Sequence, residues 1–145
     1  MTKMKTDLLH FGYLNKNNRI YREKDIDLNE LNKNPLLGEI NHPSRFLTDL
    51  SLVSHKITNL EIYGDALYGE VKILETPKGC ILKELMKNTR FVFRPRASGT
   101  VNSNGTINNY KIHTFDAILA SEDSFDRTSF RRLKIEKIIW KLKNK

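Results

Sequence analysis

The sequence ITNLEIYGDALYGEVKI, residues 57–73, decides the fold class. Ile57, Leu60 and Ile62 come before the pair Gly64-Asp65. After that pair two sets of residues alternate, Leu67, Gly69, Val71 and Ile73 against Tyr68, Glu70 and Lys72. Alternation with a period of two around a tight turn that contains glycine is typical of an antiparallel hairpin. The stretch therefore predicts two paired strands.

A helix is predicted directly after this hairpin. Thr76 is suited to cap its N-terminus, and Pro77 is suited to the first helical position. Four apolar residues then share one face at helical spacing, namely Ile81, Leu82, Leu85 and Met86. We expect a helix of about three turns that ends near Asn88.

Three further strands are predicted, over Leu8–Leu14, Arg90–Val101 and Thr106–Leu119. The last two are joined at residues 102–105, where Asn104 and Gly105 tolerate positive φ. A short helix or ordered loop is expected over Glu23–Asn34. These elements predict an α+β fold, mostly antiparallel β, in which a small barrel-like sheet carries one or two packed helices.

The basic character of the chain belongs to its last twenty residues. From Asp126 to Lys145 there are eight bases and two acids, a net charge of +6 out of +8 for the whole chain. Ile135, Ile138, Ile139 and Leu142 fall on one face there, which predicts a basic amphipathic helix. We therefore expect a domain over residues 1–125 and a separate C-terminal helix over residues 126–145.

Three roles are open for this basic segment. Its apolar stripe could dock on the domain, its bases could bind nucleic acid with a steep salt dependence, or it could contact an acidic scaffold or capsid surface. The expected contact residues for the last two roles are Arg131, Arg132, Lys134, Lys137 and Lys141.

The chain has one cysteine, Cys80, and no apolar run as long as a membrane span. An internal disulfide and a site with several cysteine ligands are therefore excluded. We expect a protein of a reducing compartment with no membrane association. A zinc site from Glu39, His42, Asp49 and His55 has no supporting spacing, so no metal is predicted.

Four stretches carry residues of chemical interest. They are NNRIY at residues 17–21, GEINHP at 38–43, the segment SHKIT at 54–58 with its continuation to TPKG at 76–79, and FRPRASGTV at 93–101 with FDAI at 115–118. In this order they resemble the prohead core proteases of T4-like tailed bacteriophages. That family shares an N-G-R-x-Y entry, a G-E-x-x-H-P motif, an S-H-x-I strand, a T-P-x-G helix start and a strand bearing S-x-R-G.

The resemblance implies a fold similar to that of the herpesvirus assemblin proteases and a set of site residues. His42 matches the family's catalytic histidine, the base that takes the proton of a serine hydroxyl. Arg96 matches the arginine after the nucleophile, which helps to hold the developing oxyanion. His55 matches a second histidine that either orients the first or packs in its strand, and Asp116 is the candidate orienting acid.

The chain departs from the family at the nucleophile. With Arg96 aligned, Arg94 and Pro95 occupy the place of the serine, and neither can attack a carbonyl group. Ser98 is the main candidate for a relocated nucleophile, with Thr100 and Cys80 as others. Arg94 and Arg96 could instead bind an anion, since guanidinium groups suit carboxylates and phosphates.

Each candidate also has an ordinary structural interpretation. His42 before Pro43 could be a loop residue, and His55 could be a histidine satisfied within its strand. His10 and His113 show no partner pattern and are interpreted as structural or exposed.

The favoured hypothesis is a phage head-assembly or maturation protein, catalytically degenerate and structural or regulatory. The alternatives are an active prohead serine protease that cleaves scaffold and capsid proteins, and a nucleic-acid-binding module that uses the basic segment. The resemblance implies no cofactor, capsid or scaffold proteins as partners with homo-oligomerisation left open, and a location in the host cytoplasm, prohead or virion.

Overall fold

Six strands form two antiparallel sheets in the computed structural model, which describes residues 3–13, 15–17, 19–103 and 105–125. The strands are β1 (Lys3–His10), β2 (Leu36–Gly38), β3 (His55–Tyr63), β4 (Ala66–Ile73), β5 (Phe91–Val101) and β6 (Ile107–Leu119). Two α-helices, α1 (Leu28–Leu31) and α2 (Pro77–Leu85), and short 3₁₀ turns at Glu23–Asp25, Leu50–Leu52 and Ala120–Glu122 complete the elements. The predicted C-terminal helix over residues 126–145 lies outside the described residues.

The first sheet has the strand order β1-β4-β3-β2, and the predicted hairpin forms its centre. Gly64 has a φ of +63° at the turn, a conformation that glycine adopts without the penalty that a Cβ would bring. The alternation in β4 puts Leu67, Val71 and Ile73 into the core. The hairpin prediction is therefore confirmed.

A β-bulge in β3 changes which residues face the core. The pairing of β3 with β4 shifts register between Thr58 and Glu61, and Asn59 has a φ of +53°. Because of this extra residue, Ile57 and Leu60 both point inward, although they are three residues apart. The amide of Asn32 stabilises the bulge by hydrogen bonds to both the N–H and the carbonyl of Leu60, at 2.8 and 2.9 Å.

The second sheet is the long hairpin β5-β6, which packs against the first sheet. Parallel bridges join it to earlier parts of the chain, Ile20 to Thr106 and Ile40 to Ala117. Phe93 and Phe115 from this hairpin and Leu8, Ile57, Leu67 and Val71 from the first sheet are almost entirely buried in a shared core. In the described part of the chain the two sheets do not close, so the fold is mostly antiparallel as predicted but is not a barrel.

The local sequence pattern predicted the start of α2 correctly but misplaced both ends of β1. The hydroxyl of Thr76 accepts a hydrogen bond from the Gly79 N–H at 3.0 Å, as expected of an N-cap, but the helix ends at Leu85, three residues before Asn88. β1 ends at His10 rather than Leu14, because Gly12, with a φ of +81°, turns the chain there. It also begins earlier than predicted, since the polar residues Lys3–Asp7 pair with β4 as an edge strand.

A contact between the sheets fixes the position of β2. His55 on β3 is fully buried, and its ring bonds to the Ser54 hydroxyl through Nδ1 and to the Phe115 carbonyl of β6 through Nε2, both at 2.8 Å. Gly38 at the end of β2 lies against this ring and against the same carbonyl. The chain that continues to His42 is therefore held beside β6.

We expect Gly38→Ala to lower the free energy of unfolding by about 2–3 kcal/mol, because a Cβ there would lie 2.2 Å from the Phe115 oxygen and 2.3 Å from His55 Nε2. The matched control is Gly64→Ala, where no atom lies within 4 Å and only the positive φ is strained, at a cost of roughly 1–2 kcal/mol. Urea denaturation measures both. An equal loss in the two variants would show that β2 is not tightly packed against β6.

The stability of the protein should depend on pH through His55. Burial lowers the pKa of His55 from 6.5 to about 4, so the unfolded chain takes up a proton over this range that the folded protein does not. Stability from this residue is complete above pH 6.5 and is lost as the pH falls towards 4, by roughly 3 kcal/mol in total. Urea denaturation of the wild type and of His55→Gln at several pH values should give a shallower decline for the variant. Parallel declines would contradict a neutral, buried His55.

Candidate functional site

The site lies where the segment after β2 meets β5 and β6. The N–H of Asn41 donates to the Ala117 carbonyl at 2.7 Å, and the Ala117 N–H donates to the Glu39 carbonyl at 2.9 Å. Asn41 has a φ of +67°, which turns the chain so that His42 follows next to β6. Nδ1 of His42 lies 2.9 Å from Oδ2 of Asp116. The structure thus brings together the expected base and the expected orienting acid, 74 residues apart in sequence.

Asp116 is fully buried and ionised. Burial alone would raise the pKa of its carboxyl group, but hydrogen bonds from Arg96, His42 and the Glu39 N–H outweigh that effect and lower the pKa below its usual value. A carboxylate at Nδ1 favours the tautomer in which this nitrogen carries the proton. Nε2 of His42 is then an acceptor, on a side chain that is 39% exposed.

Arg96 binds Asp116 through a bidentate contact. Its Nε and Nη2 lie 2.9 and 2.6 Å from the two carboxylate oxygens, and its Nη1 donates to the Phe46 carbonyl at 3.2 Å. Nη2 also donates to Oε2 of Glu39 at 3.2 Å. Most donors of Arg96 therefore stabilise the site itself, and its expected role at an oxyanion stays a prediction.

Glu39 has a role in this network that the sequence did not reveal. Its buried carboxylate accepts from Arg96, from Arg45 and from the N–H of Asp49, so it closes the loop that carries His42. The only local signal is its place in the GEINHP stretch, four residues before Pro43. That position does not reveal which residues Glu39 binds.

Arg94 on β5 is the register partner of Asp116, but its guanidinium binds two other acids. Nε and Nη2 each lie 2.8 Å from an oxygen of Asp123, Nη2 is also 3.3 Å from Oδ2 of Asp7, and Nη1 donates to the carbonyls of Asp7 and Phe93. All five N–H groups of this guanidinium are thus engaged. Anion binding by Arg94 and Arg96 stays a prediction, and it would have to displace these carboxylates.

Ser98 is paired with a histidine other than His42. Its hydroxyl lies 3.0 Å from Nε2 of His113, whose ring stacks on Phe46 with centroids 5.0 Å apart. Burial, then the charges of Lys111 and Arg96, lower the pKa of His113, so its ring is neutral at pH 7. The pairing of β5 with β6 shifts register next to Arg96 and Ser98, and the extra residues lie on β6, so His113 departs from the regular alternation of its strand.

His55 is not part of this group. Its two ring nitrogens bond to Ser54 and to the Phe115 carbonyl, as described above, so it packs in its strand rather than orienting His42. Cys80, another candidate nucleophile, is exposed on α2, as are its apolar neighbours Ile81 and Leu85.

A cleft of about 270 Å³ runs past these groups. His42, Arg45, Phe46 and Arg96 line one part of it, and His10, Tyr13 and Phe125 line another. Among the described residues no cluster of three or more His, Cys, Asp or Glu side chains could hold a metal ion. None of the helices in the described ranges is long and apolar enough to cross a membrane. The expected contact residues Arg131, Arg132, Lys134, Lys137 and Lys141 lie outside the described residues.

The fold is similar to that of a solved phage protein. The structure of the bacteriophage T4 capsid assembly protease superposes with a TM-score of 0.70 and 19% sequence identity, and the match covers 81% of each chain. No protein-family model and no curated protein matches this chain. The likeness concerns the fold, which is therefore that of a prohead protease, as the order of the sequence motifs implied.

Proposed function

We propose that this chain is a phage head-assembly protein that binds capsid or scaffold protein without cutting it. The fold supports the first half of the proposal, since the T4 capsid assembly protease has a similar one. The side chains around His42 support the second half. The proposal places the protein in the host cytoplasm or in the prohead.

The observation that carries the proposal is the state of Arg94. This residue stands where the resemblance expects the nucleophilic serine, and its guanidinium is held by Asp7 and Asp123. Pro95 has no hydroxyl to replace it. Serine hydrolysis needs a hydroxyl within about 3.2 Å of its base. In the described part of the chain His42 is bonded to Asp116, and the Ser98 hydroxyl is bonded to His113.

A cleft without a nucleophile can still bind a peptide segment. Binding needs a concave surface with apolar walls and a few ordered polar groups, and both are present here. Phe46 supplies an exposed aromatic wall, and the His42 ring, oriented by Asp116, supplies a polar group. Because the carboxylates of Asp116 and Glu39 are paired with Arg96 and Arg45, the ligand contacts a surface whose charges are already compensated.

The test is co-expression with the capsid and scaffold proteins of the same phage. We expect one of them to form a complex of fixed stoichiometry with this chain and to keep its full mass, as measured by size-exclusion chromatography and intact-protein mass spectrometry. Phe46→Asp should weaken the complex by roughly tenfold or more, since it puts an unpaired charge on the wall of the cleft. Tyr63→Asp is the control and should leave the affinity unchanged, since Tyr63 is an exposed aromatic at the β3-β4 turn that does not line the cleft.

Two outcomes would contradict the proposal. The first is a shortened partner whose cleavage is lost in His42→Ala. The second is the absence of any complex with the head proteins of that phage.

An active protease with a relocated nucleophile is the second candidate, and one observation favours it. The Ser98 hydroxyl is bonded to the imidazole of His113, which is neutral and can accept the serine proton. This candidate predicts that a fluorophosphonate labels Ser98 and that Ser98→Ala abolishes the label, both read by peptide mass spectrometry. His113→Asn and His42→Asn then separate the two bases, and we expect only His113→Asn to reduce labelling. An unlabelled Ser98 in the folded protein would exclude this candidate.

A further inference from the structure

One end of the cleft is occupied by an aromatic side chain of the protein itself. The ring of Phe125 stacks on the ring of His10, with centroids 3.7 Å apart and planes within 4°. Tyr13 meets Phe125 edge to face, at 5.4 Å and 85°. All three residues line the cleft that contains His42. The rings of His10 and Tyr13 also meet edge to face, with centroids 6.5 Å apart. Phe125 therefore packs into the corner that these two aromatic walls form, in geometries that aromatic rings prefer.

The two walls are held by contacts that do not involve Phe125. Nε2 of His10 is bonded to the carboxylate of Asp7 at 2.8 Å, and Asp7 is bonded in turn to Arg94. The hydroxyl of Tyr13 donates to Asp65 at 3.1 Å. Removal of the Phe125 ring should therefore leave both walls in position.

Phe125 is brought to this place by a short segment after β6. Asp123 binds Arg94 through both carboxylate oxygens, the Ser124 carbonyl accepts from the Lys16 N–H at 2.8 Å, and the Phe125 N–H donates to Asp123 at 3.0 Å. Asp123, Ser124 and Phe125 lie outside any helix or strand. Such a segment can leave the cleft at a much lower cost than a core strand.

We propose that the His10 end of the cleft is a binding subsite for an aromatic side chain, filled in cis by Phe125. It deepens the proposed function, on which it rests, because it names an aromatic residue in the peptide segment that the cleft binds. The bound segment places its aromatic ring against His10 and Tyr13 and displaces Phe125. Since Phe125 is tethered, its effective concentration is in the millimolar range, and it competes with any ligand that binds there.

The full chain carrying Phe125→Ala tests the proposal, with N-acetylphenylalaninamide as the probe. We expect a saturable shift of the His10 ring signals in NMR spectra of this variant, and binding roughly tenfold weaker or more in the wild type. N-acetylleucinamide should bind more weakly than the aromatic probe, because it cannot stack on His10. Tyr63→Ala removes an exposed aromatic that does not line the cleft and should behave as the wild type.

A second variant tests the contact that holds the Phe125 segment without removing the Phe125 ring. Asp123→Asn keeps Phe125 but weakens the contact with Arg94, so it should tighten binding of the aromatic probe relative to the wild type. It also tests the proposal if Phe125→Ala does not fold.

The outcomes distinguish this proposal from the proposed function. A folded Phe125→Ala in which the probe does not shift the His10 signals would overturn the subsite, and equal affinity in the wild type would overturn occupation by Phe125. Should the probe bind as expected while no head protein associates with the chain, the subsite stands and the proposed function fails. If a head protein binds but its affinity is the same for Phe125→Ala and the wild type, the function stands and the subsite is wrong.

Discussion

The buried carboxylate of Asp116 is the contact on which the site depends. It receives the fork of Arg96 from the neighbouring strand, the Glu39 N–H from the segment after β2, and the His42 ring. Removing one partner of a buried ion pair typically costs about 3–5 kcal/mol, because the other charge is left without compensation. Three separate parts of the chain are therefore held together at one point, and the position of His42 follows from it.

Arg94, two residues before Arg96, is also an arginine bound by carboxylates, but it joins different parts of the chain. Like Arg96 it lies on β5 and is neutralised by carboxylates, but its partners Asp7 and Asp123 come from β1 and from the segment after β6. A serine at this position could not make either contact. The side chain that stands in place of the expected hydroxyl thus holds the segment after β6 against the sheet and brings Phe125 beside His10.

Elements with strong local signals were predictable, and those that depend on neighbours were not. The turn at Gly64, the cap at Thr76 and the two long strands after Asn88 follow from short-range chemistry, and each is present. The prediction of a barrel was wrong. Closure of a sheet into a barrel depends on how its outer strands meet, and no local sequence pattern encodes that. The end of β1 was misplaced because Tyr13, although apolar in part, follows a glycine that turns the chain.

The sequence by itself determined the strands and the residue types that they carry, including the histidine, the acid and the two arginines of the candidate site. Only the tertiary structure decided their partners. Ser98 pairs with His113 rather than His42, and Asp7 reaches His10 three residues further along its strand, because bulges in β6 and β1 shift the side chains from their regular alternation. A bulge depends on the pairing of two strands, so one strand's sequence cannot reveal which face its side chains take.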